Sequence, residues 1–174
     1  PGLSASVIGN LTTDATTGQI KGLSATQLAA LTQNQAKALS AAQLNAFSNT
    51  QTASLTTYAI AALSASAVPS LQVSALTSNQ VKSLKADQIK SFTFTASGQI
   101  PTLSAQISNL SADAIKSLST GQIGALTSAQ VNTMTATQVA ALSATQLNAM
   151  ASDRLVKINP SYLRSISLAG MSTC

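Results

Sequence analysis

The sequence contains no histidine, no tryptophan and no glutamate, and its only cysteine is Cys174. Without histidine and with only four acidic residues, it lacks the usual general bases, carboxylate pairs and clusters of metal ligands. A single cysteine excludes an internal disulfide and leaves open an intermolecular thiol at the last position. The sequence therefore predicts no enzyme, no catalytic residue, no metal site and no cofactor.

Charge and long apolar runs are also scarce. Charged residues make up 7% of the chain, and the net charge of +5 comes from nine cations that never form a run. This small and dispersed excess of positive charge is a weak argument for nucleic-acid binding. No apolar stretch approaches the roughly 18–20 residues of a membrane-spanning helix. The hydrophobic share of 45% separates the chain from disordered proteins. We therefore expect a folded chain without a transmembrane segment.

What the chain does contain is an eight-residue repeat, Leu–Ser/Thr–x–x–Gln–Ile/Val/Leu–x–small, which occurs about twenty times. We number each octad from its leucine, so that glutamine is at position 5 and the aliphatic residue at position 6. Every glutamine except Gln33 fits position 5. A fixed short period is typical of stacked repeats, in which each unit buries its apolar residues against its neighbours.

Positions 2 and 5 have the spacing of a helix capping box. In this motif a Ser or Thr hydroxyl accepts from the main-chain N–H three residues later, and the Gln side chain accepts from the cap's own N–H. Each octad should therefore begin a short helix at position 3 and end it near the next leucine. The pairs that represent these structural cap columns are Ser24 with Gln27, Ser40 with Gln43, Thr127 with Gln130, and Ser143 with Gln146.

Two other structures compete with short helices. In one long helix the apolar stripe would drift by about 80° per octad, because eight residues turn an α-helix by about 800°. In one continuous strand, positions 1 and 6 would face opposite sides. The sequence therefore predicts an all-α solenoid of very short helices, with two or three octads in each coil. A β-solenoid is the alternative.

We expect the octads to form a single solenoid over residues 3–165. The pattern is irregular at 71–75, where an octad has lost positions 2 to 4, and at 92–109. Leu11–Asp14 is interpreted as a short insertion between octads. Residues 166–174 leave the pattern and are expected to form a tail or a partial cap. Because the chain opens already in phase at Leu3, we expect it to be a fragment of a longer repetitive protein.

Glutamine, and never glutamate, occupies position 5. A capping box accepts either residue, so a further constraint must apply. Stacking brings equivalent side chains together, and a column of carboxylates would repel one another and lose solvation. We therefore expect partly buried glutamines that hydrogen-bond to one another in a ladder.

Most lysines occupy position 7, near the end of each predicted helix, where a cation complements the helix dipole. This column contains Lys21, Lys37, Lys82, Lys90 and Lys116, together with Arg164. A solvated edge explains the column most simply, and anion contact is the functional alternative. The aromatic residues are too dispersed to form a platform on which bases could stack.

The phrases LSATQLAALTQNQAKALSAAQLNA and LTSAQVNTMTATQVAALSATQLNA resemble short tandem repeats of large repetitive bacterial surface or secreted proteins. The resemblance implies an extracellular or cell-surface location and an adhesin-like or fibre-like role, and it transfers no functional residue. The leading hypothesis is a structural or display segment. The alternatives are a module that binds protein or glycan along its face and, less favoured, nucleic-acid binding through the lysine column. End-to-end self-association is also plausible for a solenoid.

Overall fold

The computed structural model describes residues 3–14, 18–92 and 104–163, and within these ranges the regular structure is helical, without strands. The predicted all-α repeat fold is confirmed, and the β-solenoid alternative is not supported. The α-helices are α1 (Ala5–Gly9), α2 (Ala25–Ala29), α3 (Gln33–Lys37), α4 (Ala41–Asn45), α5 (Asn49–Ser54), α6 (Thr57–Ala62), α7 (Ser78–Lys82), α8 (Ala86–Lys90), α9 (Ala112–Ser117), α10 (Thr120–Gly124), α11 (Ser128–Asn132), α12 (Ala136–Ala140), α13 (Ala144–Asn148), α14 (Ser152–Leu155) and α15 (Pro160–Leu163). The 3-10 helices are η1 (Gln19–Gly22), η2 (Val68–Ser70), η3 (Val73–Ala75) and η4 (Ser104–Asn109).

Each helix begins and ends where the octad predicts. In α2 the cap is Ser24, at position 2, and the first helical residue is Ala25, at position 3. The helix stops after five residues because the next octad imposes extended backbone: Thr32 has φ −72° and ψ 163°. A Ser or Thr in this conformation favours a new cap over continuation of the old helix. The period of the caps therefore limits the length of every helix.

Three octads complete one coil. In the N-terminal part α3 packs on α6 and α2 packs on α5, and in both pairs the helices begin 24 residues apart. In the C-terminal part the same separation joins α9 to α12, α10 to α13 and α11 to α14. Successive octads thus lie in three successive stacks, and the fourth octad returns to the stack of the first.

The chain divides into two compact units, residues 1–84 and 85–174. In unit 1 the three stacks contain α1, α3, α6 and α7; α2, α5 and η3; and α4 and η2. In unit 2 they contain α8, α9, α12 and α15; α10 and α13; and η4, α11 and α14. Both units are built from the octad, and one continuous solenoid over 3–165 stays a prediction. The predicted tail at 166–174 lies outside the described residues.

Positions 1 and 6 supply the core. Position 1 is buried at Leu39, Phe47 and Leu126, and position 6 is fully buried at Ile60 and Ile123. Burying such a side chain contributes about 1.5–3 kcal/mol relative to leaving it exposed. The apolar stacks, renewed at every coil, therefore account for most of the stabilisation.

Thr52 is an exception in the aliphatic column. It occupies position 6 of its octad, and its side chain is 0% exposed. The Thr52 hydroxyl is buried without a hydrogen-bond partner in the structure. A buried hydroxyl that forms no hydrogen bond costs free energy, because it loses its bonds to water.

Two shortened octads are accommodated by 3-10 turns. Residues 71–75, which lack three positions, form η3, and η3 packs on α5 in the usual stack. The octad at 103–109, which lacks one position, contains η4 (Ser104–Asn109), and η4 packs on α11. A 3-10 helix rises more steeply per residue than an α-helix, so fewer residues span one side of the coil.

The insertion near Leu11 lies within an octad rather than between two octads, which corrects the sequence interpretation. The Thr12 N–H donates to Gln19 Oε1 at 3.4 Å, and the Gln19 N–H donates to Thr12 Oγ1 at 3.2 Å. Thr12 and Gln19 are therefore positions 2 and 5 of one octad, with residues 13–18 between them. A Cβ at Gly18 would lie 2.4 Å from the Asp14 carbonyl oxygen, so this excursion requires glycine where it closes.

Candidate functional site

The repeated polar feature of the molecule is the pair formed by positions 2 and 5. In α4 the Gln43 N–H donates to Ser40 Oγ at 3.2 Å, while the Ser40 N–H donates to Gln43 Oε1 at 2.9 Å. The same reciprocal box joins Ser24 to Gln27, Thr127 to Gln130 and Ser143 to Gln146. Two main-chain donors at each helix start are satisfied in this way.

The glutamine amide has a second role that reaches the preceding coil. Gln43 Nε2 donates to the carbonyl oxygens of Ile8 and Leu11, both at 2.9 Å. Gln146 Nε2 donates to those of Ile115 and Leu118, at 3.3 and 2.7 Å. Each acceptor pair is position 6 of the octad four repeats earlier and the leucine that follows it.

This arrangement recurs in both units. Gln51, Gln80, Gln122 and Gln138 donate to the corresponding pairs Ile20 and Leu23, Thr52 and Leu55, Ile89 and Phe92, and Ile107 and Leu110. The acceptors are carbonyls at the end of a helix. The position-6 carbonyl also accepts from the main-chain N–H three residues later, as Ile115 does from Leu118 at 3.1 Å. One side chain thus caps the start of its own helix and the end of another helix.

These contacts explain why glutamine is required at position 5. The recorded amide donors bond to main-chain carbonyls and not to one another, so the expected glutamine ladder is replaced by bonds from side chain to main chain. Glutamate could accept from the cap, but an ionised carboxylate has no hydrogen to donate to the carbonyls. Most of these glutamines are buried, such as Gln43 at 2% and Gln130 at 0% exposure, whereas Gln27 is exposed.

Several octads depart from the rule. Position 5 is alanine at Ala59 and Ala114, where only the hydroxyl half of the cap forms. Arg154 replaces glutamine in α14 and donates through Nη1 to the Gly124 carbonyl, which keeps a bond to the earlier helix. Lys85 occupies the cap position of α8, and since an ammonium group cannot accept, only its N–H bond to Gln88 Oε1 at 2.8 Å remains.

Most lysines of the predicted column are not neighbours in the structure. In unit 1, Lys37 on α3 and Lys82 on α7 share a stack but have α6 between them, and Lys21 lies on η1 outside that stack. In unit 2, Lys90 and Lys116 are exposed on α8 and α9, which pack directly on each other. Arg164 lies outside the described residues. The lysines therefore provide one adjacent pair rather than a stripe along either unit.

An open groove of about 760 Å³ lies in unit 2, at the corner between two stacks. Sequence reasoning did not identify it, because it depends on which octads share a corner. It is lined by the ends and starts of helices: Asp113, Lys116, Leu118, Ser119, Thr120, Ala140, Ala141, Ser143, Thr145 and Gln146. Its wall combines two charged side chains with hydroxyl groups, a composition suited to polar ligands.

Within the described ranges, no group of three or more acidic, cysteine or histidine residues could hold a metal ion. None of the described helices is both long and apolar enough to cross a membrane. These two findings apply to the described residues alone.

One family model matches the chain, that of the ALTTAQ repeat, over residues 104–136. Within that segment residues 125–130 read ALTSAQ, which contains the capping pair Thr127 and Gln130. No curated protein and no solved structure gives a significant match. The match supports a repeat-containing protein, as does the periodic packing of the two units.

Proposed function

We propose that the chain is a non-catalytic structural segment that spaces or displays other parts of a surface or secreted protein, in an adhesin-like or fibre-like role. The observation that carries this proposal is the use of the octad's polar groups. The cap hydroxyls and the glutamine amides are engaged with main-chain atoms of their own coil and of the preceding one, as at Gln43 and Gln146. These polar groups hold each coil together and join it to the preceding coil.

An extracellular or cell-surface location belongs to the same proposal. It is supported by the likeness of the octads to short repeats of bacterial surface and secreted proteins. It also agrees with a surface dominated by Ser, Thr, Asn and Ala at the exposed positions 2 to 4, because such a surface remains solvated without many charges.

A spacing role requires that each added coil lengthens the molecule by a constant step. Residues 118–141, which comprise three octads of unit 2, would be duplicated in the 174-residue chain. Spin labels would be placed at Asp87→Cys on α8 and at Val156→Cys, the residue that follows α14, in a Cys174→Ser background. Because packed helices lie about 8–10 Å apart, we expect the distance between the labels to increase by about 10 Å with a narrow distribution.

The matched control inserts 24 Gly and Ser residues after residue 141 instead. This insertion should broaden the distance distribution without a defined step, since such a linker is a flexible coil. A duplicated coil that left the distance unchanged, or that gave the same broad distribution as the linker, would count against a spacing role.

The groove in unit 2 favours a second candidate, a module that binds protein or glycan along its face. Asp113 and Lys116 flank hydroxyl groups of two neighbouring coils, and such groups can recognise sugar hydroxyls or a polar peptide. NMR titration with a panel of neutral and acidic oligosaccharides tests this candidate. Saturable shifts at Thr120 and Thr145, abolished by Asp113→Asn with Lys116→Gln, would support binding, and their absence would reject it for these sugars.

Nucleic-acid binding has the least support. Its electrostatic requirement is a set of cations along one face, and the affinity should fall steeply with salt. Among the lysines of the column that lie in the described ranges, only Lys90 and Lys116 are on directly packed helices, and Asp87 and Asp113 accompany them on α8 and α9.

A further inference from the structure

The groove in unit 2 contains some side chains that the fold uses and others that it leaves available. The Ser119 hydroxyl accepts from the Gln122 N–H at 3.2 Å. The Ser143 hydroxyl accepts from the Gln146 N–H at 3.2 Å and donates to Gln146 Oε1 at 3.2 Å. These groups therefore hold the starts of α10 and α13 in place.

Four other side chains that line the groove are exposed and have no such structural role. They are Asp113, Lys116, Thr120 and Thr145. Within the part of the chain that the structure describes, none of these side chains forms a hydrogen bond or an ion pair. A ligand in the groove would therefore meet one carboxylate, one ammonium group and two hydroxyl groups.

The groove lies where the end of an octad changes from long to short side chains. Positions 7 and 8 are Lys116 and Ser117 in the octad of α9, but Ala140 and Ala141 in the octad of α12, which packs on α9. Together with the buried Leu118, the two alanines give the groove its apolar lining. The groove thus combines a small apolar surface with convergent polar groups, as small-molecule sites do.

The two charged side chains of the groove have opposite signs and lie close together on one short helix. Asp113 is in the first turn of α9, and Lys116 is in the last turn. Residues three apart on a helix have Cβ atoms about 5–6 Å from each other, so one small ligand can contact both. A purely anionic ligand would be attracted by Lys116 and repelled by Asp113, and a purely cationic ligand would experience the reverse. A ligand that carries both charges complements the pair.

We propose that this groove binds a short peptide with two free ends, whose ammonium group contacts Asp113 and whose carboxylate contacts Lys116. The proposal rests on the binding-module candidate and specifies the class of its ligand. A dipeptide spans at most about 7 Å, which matches the spacing of the two charges. Its amide group donates to and accepts from the hydroxyls of Thr120 and Thr145.

NMR titration of the 174-residue chain with dialanine and its blocked forms tests the proposal. N-acetylation removes the positive charge of dialanine, amidation removes the negative charge, and the doubly blocked form is neutral. We expect dialanine to bind with a dissociation constant on the order of 1 mM and to give saturable shifts at Thr120 and Thr145. Blocking either end should weaken binding about tenfold, because a hydrogen bond between charged groups is lost.

Two variants assign the two charges of the ligand. Asp113→Asn should remove the preference for dialanine over its N-acetylated form and keep the preference over its amidated form. Lys116→Gln should have the reverse effect. The matched controls are Asp87→Asn and Lys90→Gln, which make the same changes at the same octad positions of α8, outside the groove, and should leave binding unchanged. Circular dichroism verifies that all four variants fold.

The outcomes separate this proposal from the candidate on which it rests. If oligosaccharides give saturable shifts at Thr120 and Thr145 but dialanine does not, the groove is a binding site and the peptide proposal is wrong. If neither ligand binds at about 10 mM, both are wrong. Equal binding of dialanine and its doubly blocked form also overturns the proposal, as does an equal effect of the α8 controls, which would indicate general surface charge.

Discussion

Gln146 Nε2 donates to the Leu118 carbonyl oxygen at 2.7 Å, and these residues are 28 positions apart in the chain. The Oε1 atom of the same amide accepts from the Ser143 N–H at 2.9 Å, three positions away. The two atoms of one amide thus join the start of α13 to the end of α9. Helix formation and coil stacking depend on the same side chain, and changing that residue should affect both.

The first prediction concerns Gln146→Glu. The variant removes the donors to Leu118 and Ile115 and buries a carboxylate beside their oxygens. We expect the free energy of unfolding at neutral pH to fall by about 3 kcal/mol or more, which urea denaturation would measure. Gln27→Glu is the control, because that residue is exposed and should change stability by less than about 0.5 kcal/mol. Equal losses in the two variants would contradict the assigned role of the amide.

The same variant should show a pH dependence of known sign. Burial beside carbonyl oxygens should raise the pKa of the new carboxyl in the folded state above its unfolded value of about 4.3. Stability linked to the protonated form is then fully present below about pH 4 and is lost as the pH rises through the folded pKa. The deficit of Gln146→Glu relative to wild type should therefore shrink on acidification. A deficit that did not vary with pH would indicate packing rather than charge.

The second prediction concerns the caps. Ser143→Ala removes the hydroxyl that accepts from the Gln146 N–H at 3.2 Å, and we expect it to cost about 1 kcal/mol. Thr145→Ala, in the same octad but at an exposed position without a cap, should cost less than about 0.5 kcal/mol. Thermal unfolding followed by circular dichroism compares them. If the two variants lost the same stability, the cap would not be the cause.

The third prediction concerns the buried hydroxyl of Thr52, which has no partner. Thr52→Val keeps the shape of the side chain and replaces the hydroxyl with a methyl group. We expect a gain of about 1 kcal/mol in the free energy of unfolding. Thr52→Ser retains the hydroxyl and loses the methyl group, so it should be less stable than wild type. A Thr52→Val variant that was destabilised would show that the hydroxyl has a partner.

The fourth prediction uses the excursion at 13–18. Because Thr12 and Gln19 are joined by reciprocal hydrogen bonds, six Gly and Ser residues inserted after Thr13 should only lengthen the connection between them. Doubling a loop costs about 0.6 kcal/mol, so we expect a loss below about 1 kcal/mol. The same insertion after Ala129 interrupts α11 and should greatly reduce helical circular dichroism. Similar losses at both sites would mean that the excursion is part of the packed coil.

Much of the fold can be predicted from local sequence. The spacing from Ser143 to Gln146 specifies a cap, and the cap specifies where α13 begins. Positions 1 and 6 identify the core, because only they are consistently large and apolar. These patterns predict the class of fold and the length of the helices. They also predict the hydrogen bond that the glutamine side chain accepts within its own octad.

The second half of the glutamine contact does not follow from local sequence. The 31- and 28-residue separations that join Gln146 to Ile115 and Leu118 arise from three octads per coil, and that number depends on how sharply the chain turns at each corner. The absence of glutamate from position 5 was the sequence signal that could have predicted this second contact, because a side chain that must donate a hydrogen bond cannot be an ionised carboxylate. The insertion at Leu11 was misplaced because its two cap partners, Thr12 and Gln19, are seven residues apart.

The stacking of each coil on its immediate neighbour has a mechanical consequence. The recorded hydrogen bonds between coils join residues no more than 35 positions apart. A chain pulled from one end would therefore release its outermost coil while the coils behind it keep their contacts. Each release of 24 residues adds about 80 Å of extended chain. Under tension such a segment lengthens in small, separate steps. Mechanical energy is then dissipated in several small unfolding events instead of one large one.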